Sequence, residues 1–200
     1  LEEYLYAVVP SEMPSSFSPE ALKTQAVCAR SYVYMQLMRA DLAAYGAHIN
    51  DSTSYQVYNK VEKTKESVAA VDATCGQVLT WNGKVVEAYY FSTSAGVTST
   101  DEIWGSDEAA PYLRSVPCKF DEEEPWSSWK VELPWKMLED RIREKGEGTV
   151  LRSVTVTRRS ESGAATALEA VSDKDSCIIE NEYEIRKFLA PVNCMITEKD

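Results

Sequence analysis

The first stretch of the chain, "LEEYLYAVV", places Leu1, Tyr4, Leu5 and Val8 on one face of a helix. Pro10 is expected to end that helix, because the residue before a proline avoids the α region. A second helix start follows. Ser18 is a good N-cap, Pro19 suits the first helical position and Glu20 suits the positive end of the helix dipole. Phe17 and Leu22 are spaced for a hydrophobic staple. Leu22, Ala26, Ala29, Val33 and Leu37 then recur at helical spacing, which predicts a helix to about Tyr45, capped by Gly46. "KESVAAVDAT" reads as a further helix closed by Gly76. The clearest β signal comes next: "QVLTW" and "KVVEAYYFS" flank Asn82-Gly83, the preferred two-residue hairpin turn.

Beyond the hairpin, "STSAGVTSTDEIWG" is small, polar and long for a loop, which marks it as a candidate functional segment. "DEEEPWSSW" reads as a charged surface connection. "PWKMLEDRIREK" predicts a short helix, "SVTVTRRS" and "ATALEAV" alternate like strands, and "ENEYEIRKFLA" closes as a helix before Pro191. Helices crowd the first 75 residues and strands follow, so the expected class is α+β, with a helix-rich N-terminal part and an antiparallel β-rich C-terminal part. At 200 residues the chain has room for one domain, 1–200, or one domain of two lobes, about 1–75 and 76–200.

Charge narrows the function classes. With 21 basic and 32 acidic residues the net charge is −11, which argues against nucleic acid and against docking on an anionic membrane face. The five cysteines, Cys28, Cys75, Cys118, Cys177 and Cys194, are scattered, odd in number and form no CxxC pair; buried thiols are expected rather than a disulfide framework. No apolar run approaches the ~20 residues of a membrane span. His48 is the only histidine, so a His-rich metal site is excluded and any Ser-His or Cys-His pair has to use it. Ser92 or Ser94 could pair with His48, but no G-x-S-x-G motif supports a serine hydrolase. No metal or other cofactor is expected.

Carboxylate chemistry remains. In "AVVPSEMP", Glu12 stands between Pro10 and Pro14 at the end of a helix. The negative end of the helix dipole, and desolvation by Val9 and Met13, disfavour a charged carboxyl there and suit a general acid. The plainer alternative is a glutamate that caps or solvates a turn, and spacing alone favours it.

More specific is the wording of the sequence itself. "EYLYAVVPSEMPSSFSPEALKTQAVCARSYV" closely resembles the start of the SpoIID/LytB domain, the stage II sporulation protein D family. "VAAVDATCGQVLTWNGKVVEAYYFSTSAGVTSTDEIWG" and "PYLRSV" continue the resemblance, and "RRSESG" and "IRKFLAP" carry it more weakly. The resemblance implies a lytic transglycosylase that cuts the bond between N-acetylmuramic acid and N-acetylglucosamine in peptidoglycan strands, preferably strands stripped of stem peptides, leaving 1,6-anhydro ends. It implies that Glu12 is the catalytic residue, set in a substrate cleft of the α+β fold. It further implies an extracytoplasmic protein, in the cell wall or the intermembrane space of a sporulating cell. Such a protein is expected to be anchored by a segment outside this chain, working beside a peptidoglycan amidase and a membrane-anchored complex.

Candidate substrate-binding residues follow from the matched motifs. Gln25 and Arg30 lie in "ALKTQAVCAR", with Arg30 placed to hold a lactyl carboxylate and Lys23 about two turns away on the same helix face. Gln56 and Tyr58 can hydrogen-bond and stack on sugar; Ser92, Thr93 and Ser94 offer hydroxyls and loop amides; Trp104 is a possible sugar platform or a hairpin-packing residue. Glu20, Asp51, Glu87 and Glu102 are further carboxylates from which a second partner could come. Two departures stand out. Some relatives bind zinc through Cys and His just before "QVY", where this chain has Asn50, Ser54 and Tyr55 and no thiol, so no zinc is expected. The chain also reads "SAG" where relatives usually have paired glycines, which puts Ala95 in a place that suits glycine's freedom. A wall-binding module or autolysin modifier that holds glycan without cutting it is the alternative function.

Overall fold

The computed structural model describes residues 1–51, 55–99 and 110–190. Ser54, Glu102, Trp104 and Cys194 lie outside the described residues. The chain divides into two compact units, Leu1–Tyr90 and Phe91–Asp200. The class is α+β, as the patterning predicts.

The first unit is built on α1 (Glu2–Glu12), α2 (Pro19–Arg39) and α3 (Lys65–Ala73). Its core is Leu5, Val8 and Val9 of α1, Leu22, Ala26 and Ala29 of α2, and Ala70 and Val71 of α3. Small residues on α2 and α3 let three helices share so compact a core. Contrary to the expectation from sequence, α1 runs through Pro10 to Glu12. A proline removes the N–H that would bond the carbonyl four residues back, here that of Tyr6. The hydroxyl of Ser67, fully buried on α3, donates to the Tyr6 carbonyl at 3.0 Å instead. The helix therefore keeps its last turn, closed by the Met13 N–H on the Val9 carbonyl at 2.9 Å, and Glu12 becomes its final residue.

α2 starts as expected, with the Ser18 hydroxyl accepting from the Ala21 N–H at 3.3 Å. It ends earlier, at Arg39, where Ala40 turns left-handed at φ 54°, and Gly46 caps only a separate 3-10 turn, Ala43–Tyr45. α3 carries a reciprocal cap that the sequence reading missed: Thr64 and Ser67 each bond the other's backbone N–H. The hairpin is present but short, β1 (Thr80–Trp81) against β2 (Lys84–Val85), with Asn82 at φ 49° and Gly83 at φ 75° as a type I′ turn demands. It belongs with the helices because the Ser31 hydroxyl accepts from the Leu79 N–H at 2.8 Å. Among the described residues the remainder of "KVVEAYYFS" adds no further strand: the Val86 N–H bonds the Leu79 carbonyl at 3.0 Å, and Val86, Glu87 and Ala88 turn inward.

The second unit carries α4 (Trp135–Glu144), an antiparallel sheet in the order β3 (Leu151–Arg159), β4 (Ala165–Ser172), β5 (Ser176–Glu180), and α5 (Glu182–Leu189). Leu138 and Ile142 of α4 and Ile185 and Phe188 of α5 pack with Leu151, Leu168, Ala170 and Ile179 of the sheet. β5 was not foreseen, although "SCIIE" is a short β-branched run. Asp173 ties the sheet end together, accepting from the Thr149 N–H and hydroxyl and the Val150 N–H at 2.8 to 3.0 Å. Among the described residues no helix is long and apolar enough to cross a membrane.

Candidate active site

Glu12 stands at the C-terminal end of α1, half-buried. The chain segment from Tyr55 to Asn59 runs beside that helix end and donates to it twice. The Val57 N–H bonds Glu12 Oε1 at 2.7 Å, and the Asn59 N–H bonds the Ser11 hydroxyl at 3.1 Å. The continued helix explains why this is possible. Had α1 stopped at Pro10, residues 11 and 12 would not present a side-chain hydroxyl and a carboxylate to one extended strand of backbone.

Behind the carboxylate lies a polar relay. Gln56, only 1% exposed, donates from Nε2 to the Ala29 carbonyl at 3.1 Å and to the Tyr90 hydroxyl at 3.2 Å. Its Oε1 accepts from the Tyr4 hydroxyl at 3.2 Å. Burial, and then the Glu12 charge, push the Tyr4 hydroxyl up to about 12. The same two causes raise Tyr90 above its ordinary value. Both phenols therefore keep their protons across the physiological range.

The ring of Tyr4 stacks on Tyr58 with centroids 5.9 Å apart and planes 6° from parallel. The two tyrosines, with Glu3, Ile49, Asn50 and Asp51, line an open cavity of about 420 Å³. That volume is within the range of small-molecule sites.

The sequence-based candidates separate on this geometry. Tyr58 lines the cavity and is half-buried, consistent with a sugar-facing wall. Gln56 is not a sugar contact: it is sealed in the interior, and both ends of its amide are used by the fold. Arg30 is a correction as well. It is 1% exposed; Nε and Nη2 bond Glu2 at 3.0 and 2.6 Å, Nη1 bonds the Gln77 carbonyl at 3.1 Å and Nη2 the Val71 carbonyl at 3.3 Å. Such a guanidinium clamps α1, α2 and α3 together and has no open face for a lactyl carboxylate. Lys23, the other charge expected on that face, pairs with Glu20 at 2.7 Å. Gln25 is buried at 7% exposure, and its Nε2 has no hydrogen-bond partner among the described residues.

Ser92, Thr93 and Ser94 belong to the second unit. Ser92 is exposed and Thr93 half-buried, their hydroxyls 3.4 Å apart. Ser94 is buried instead, its N–H and hydroxyl bonded to Asp121 at 2.5 and 2.9 Å. The Ser94 amide first, then its hydroxyl, hold the Asp121 carboxyl below its usual range. Asp121 comes from "DEEEPWSSW", which the sequence reading took as mere surface connection; it is the anchor of the serine-rich loop. Ala95 needs no left-handed backbone: the positive φ in that turn, 90°, falls on Gly96.

Other carboxylates sort themselves out. Glu87, 7% exposed, is held by Arg39 at 2.6 Å and by Gln36 at 2.9 Å, so it is structural. Asp51 lines the cavity. Among the described residues no cluster of His, Cys, Asp and Glu has the makings of a metal site, and Cys28, Cys75, Cys118 and Cys177 are free thiols.

Comparison with known proteins bears on the same region. The family described as Stage II sporulation protein matches residues 1–81, which contain Glu12, Tyr4, Gln56 and Tyr58. Stage II sporulation protein D of Bacillus subtilis is 40% identical over 140 residues, covering 62% of this chain and 40% of that protein. The amidase enhancer of the same organism is 36% identical over 138 residues, 68% of this chain and 18% of that protein. An uncharacterised protein of Brachyspira hyodysenteriae is 33% identical over 175 residues, 84% of this chain and 46% of that protein. The chain thus spans less than half the length of each of these relatives.

Proposed function

The chain belongs to the stage II sporulation protein D family, and from that premise we propose that it acts on the cell wall as a peptidoglycan lytic transglycosylase with Glu12 as its acid and base. The observation that carries this reading is the placement of one carboxylate. Glu12 is held at a helix end by a backbone amide at 2.7 Å and half-open to solvent, and Tyr4 of the same helix, with Tyr58, walls a cavity.

A single carboxylate suffices for this chemistry. Glu12, protonated, gives its proton to the oxygen joining N-acetylmuramic acid to N-acetylglucosamine as the C1–O bond breaks. The charge left at C1 is oxocarbenium-like. The Glu12 carboxylate then removes the proton of the muramic C6 hydroxyl, whose oxygen bonds C1. Glu12 ends protonated, no water is consumed, and the product is a 1,6-anhydro end. An ordinary glycosidase needs a second carboxyl about 5 to 9.5 Å away to serve water or to act as nucleophile; here the nucleophile is part of the substrate. Tyr58 and the Tyr4 ring supply stacking surface for the sugars.

With Arg30 buried, the expected preference for peptide-stripped strands loses its basis in that residue. We propose glycan strands as the substrate, an extracytoplasmic setting and a role in sporulation or wall remodelling, near an amidase. The amidase enhancer among the relatives also favours a second reading, a wall-binding modifier that does not cut. Mass spectrometry of purified glycan strands after incubation separates the readings. Anhydromuramic ends are the expected product; reducing ends mean a hydrolase, and intact strands that co-sediment with the protein mean a binding module.

A further inference from the structure

The open cavity of about 420 Å³ has a lining of one sign of charge. Tyr4 and Tyr58 wall it, Ile49 adds an apolar patch, and its polar groups are Glu3, Asn50 and Asp51. Among the described residues no lysine, arginine or histidine lines it. Its aromatic wall is set before any ligand arrives. The Tyr4 hydroxyl is tied to Gln56 Oε1 at 3.2 Å, and the Tyr4 ring lies nearly parallel to that of Tyr58. A preformed aromatic wall with a few polar groups is what a small-molecule site needs; the two carboxylates add a choice of charge. A glycan strand stripped of stem peptides alternates two rings that differ only in the lactyl group. The muramic ring bears a free carboxylate, and the glucosamine ring bears no charge.

We propose that Glu3 and Asp51 make this cavity a subsite for the uncharged N-acetylglucosamine ring and turn away a ring with a free carboxylate. The inference rests on the glycan-strand reading of the site. Its consequence is register. Because the strand alternates, a cavity that accepts every second ring fixes which of the two kinds of glycosidic bond reaches Glu12. The cavity and the acid are neighbours. Tyr4 and Glu12 lie on one helix, about 12 Å apart along its axis, and Tyr58 follows Val57, whose amide holds Glu12. Two like charges about 4 Å apart in water repel by an amount worth about fivefold in affinity. Glu3 and Asp51 are exposed, so the discrimination fades as salt rises. The lactyl carboxylate that Arg30 was expected to attract is, at this cavity, the group that is refused.

The test is a titration followed by the ring resonances of Tyr4 and Tyr58, which report on this cavity whether or not the protein cuts. The probes are the methyl glycosides of N-acetylglucosamine, of N-acetylmuramic acid, and of N-acetylmuramic acid with its lactyl group amidated, which keeps the bulk and removes the charge. In the wild type the N-acetylglucosamine and amidated probes should shift both rings, and the amidated probe should bind about fivefold more tightly than the acid. Glu3→Gln combined with Asp51→Asn should bring those two within about twofold. Equal Kd values for acid and amide in the wild type overturn the proposal, and so does a gap that survives in the neutral double variant. If that variant does not fold, salt decides: the wild-type gap should narrow between about 0.05 and 0.5 M, and a constant gap overturns the proposal. Rings that no probe shifts overturn it too, while release of anhydromuramic ends, scored separately, shows whether the cutting reading stands. Discrimination without such release keeps the subsite and leaves a protein that holds glycan without cleaving it.

Discussion

Arg30 shows how a residue's chemistry can be read correctly and its use wrongly. A planar, always charged guanidinium suits any carboxylate; the sequence offered a ligand's, and the fold supplies Glu2. The distinction was invisible because Glu2 lies 28 residues away in the chain, and helix periodicity says nothing about which helix faces which. The consequence is measurable. Removing one partner of a buried, hydrogen-bonded ion pair costs roughly 3 to 5 kcal/mol; the pair here is partly open on the Glu2 side, at 27% exposure, which favours the lower end. Arg30→Ala should lose about 3 kcal/mol in denaturant unfolding, and Arg30→Lys, which keeps the charge but not the fork, should recover only part of it. Unchanged stability with weakened glycan binding would return Arg30 to the ligand. Gln56 teaches the same lesson: its motif was legible, but only burial reveals that it works on other protein groups.

At the scale of elements, most helices and the strands β3 and β4 were legible from local pattern alone, while the pairing of those strands came from the fold. The exceptions have local physical causes. Pro10 ought to break α1, and does not because Ser67 on another helix replaces the lost donor. β5 is five residues long, too short for alternation to show. Ser67→Ala should cost about 1 to 3 kcal/mol, since it leaves the Tyr6 carbonyl without a partner. Restoring an N–H by Pro10→Ala in that background should recover part of the loss; additive effects of the two substitutions would show that they are not coupled through that carbonyl. In the second unit, the Val150 and Thr149 amides and then the Thr149 hydroxyl pull the Asp173 carboxyl from 3.8 down to about 2. A depressed carboxyl stabilises the fold above its unfolded value and ceases to do so as pH falls through its folded value. Asp173→Asn should therefore lower Tm at neutral pH, with the difference shrinking below about pH 4 and gone near 2. A difference constant across a thermal-unfolding series from pH 2 to 7 would contradict the assignment.

For the molecule as a whole, composition excluded more than it identified. A net charge of −11 argues against nucleic acid, but only the motif around Glu12 points to a wall enzyme, and only the three-dimensional arrangement shows what surrounds the acid. The extended segment at Tyr55–Asn59 bonds the end of the first helix through Val57, and its Gln56 bonds Tyr4 and Tyr90. Tyr4 and Tyr90 were missed as site residues because in sequence each is one more apolar position on a helix or strand; no signal short of the fold distinguishes them. The serine-rich loop, by contrast, was noticed for its composition, and its anchor Asp121 was overlooked because a cluster of acids reads as surface.

Everything in this account turns on Glu12, and Glu12→Gln tests it most directly. The amide is nearly isosteric and still accepts from the Val57 N–H, so circular dichroism and Tm should match the wild type. Glycan strands are incubated with each protein, and anhydromuramic ends are counted by mass spectrometry. The account predicts their release by the wild type and a loss of at least about 10²-fold in Glu12→Gln. Undiminished anhydromuramic release by a correctly folded Glu12→Gln protein would contradict it.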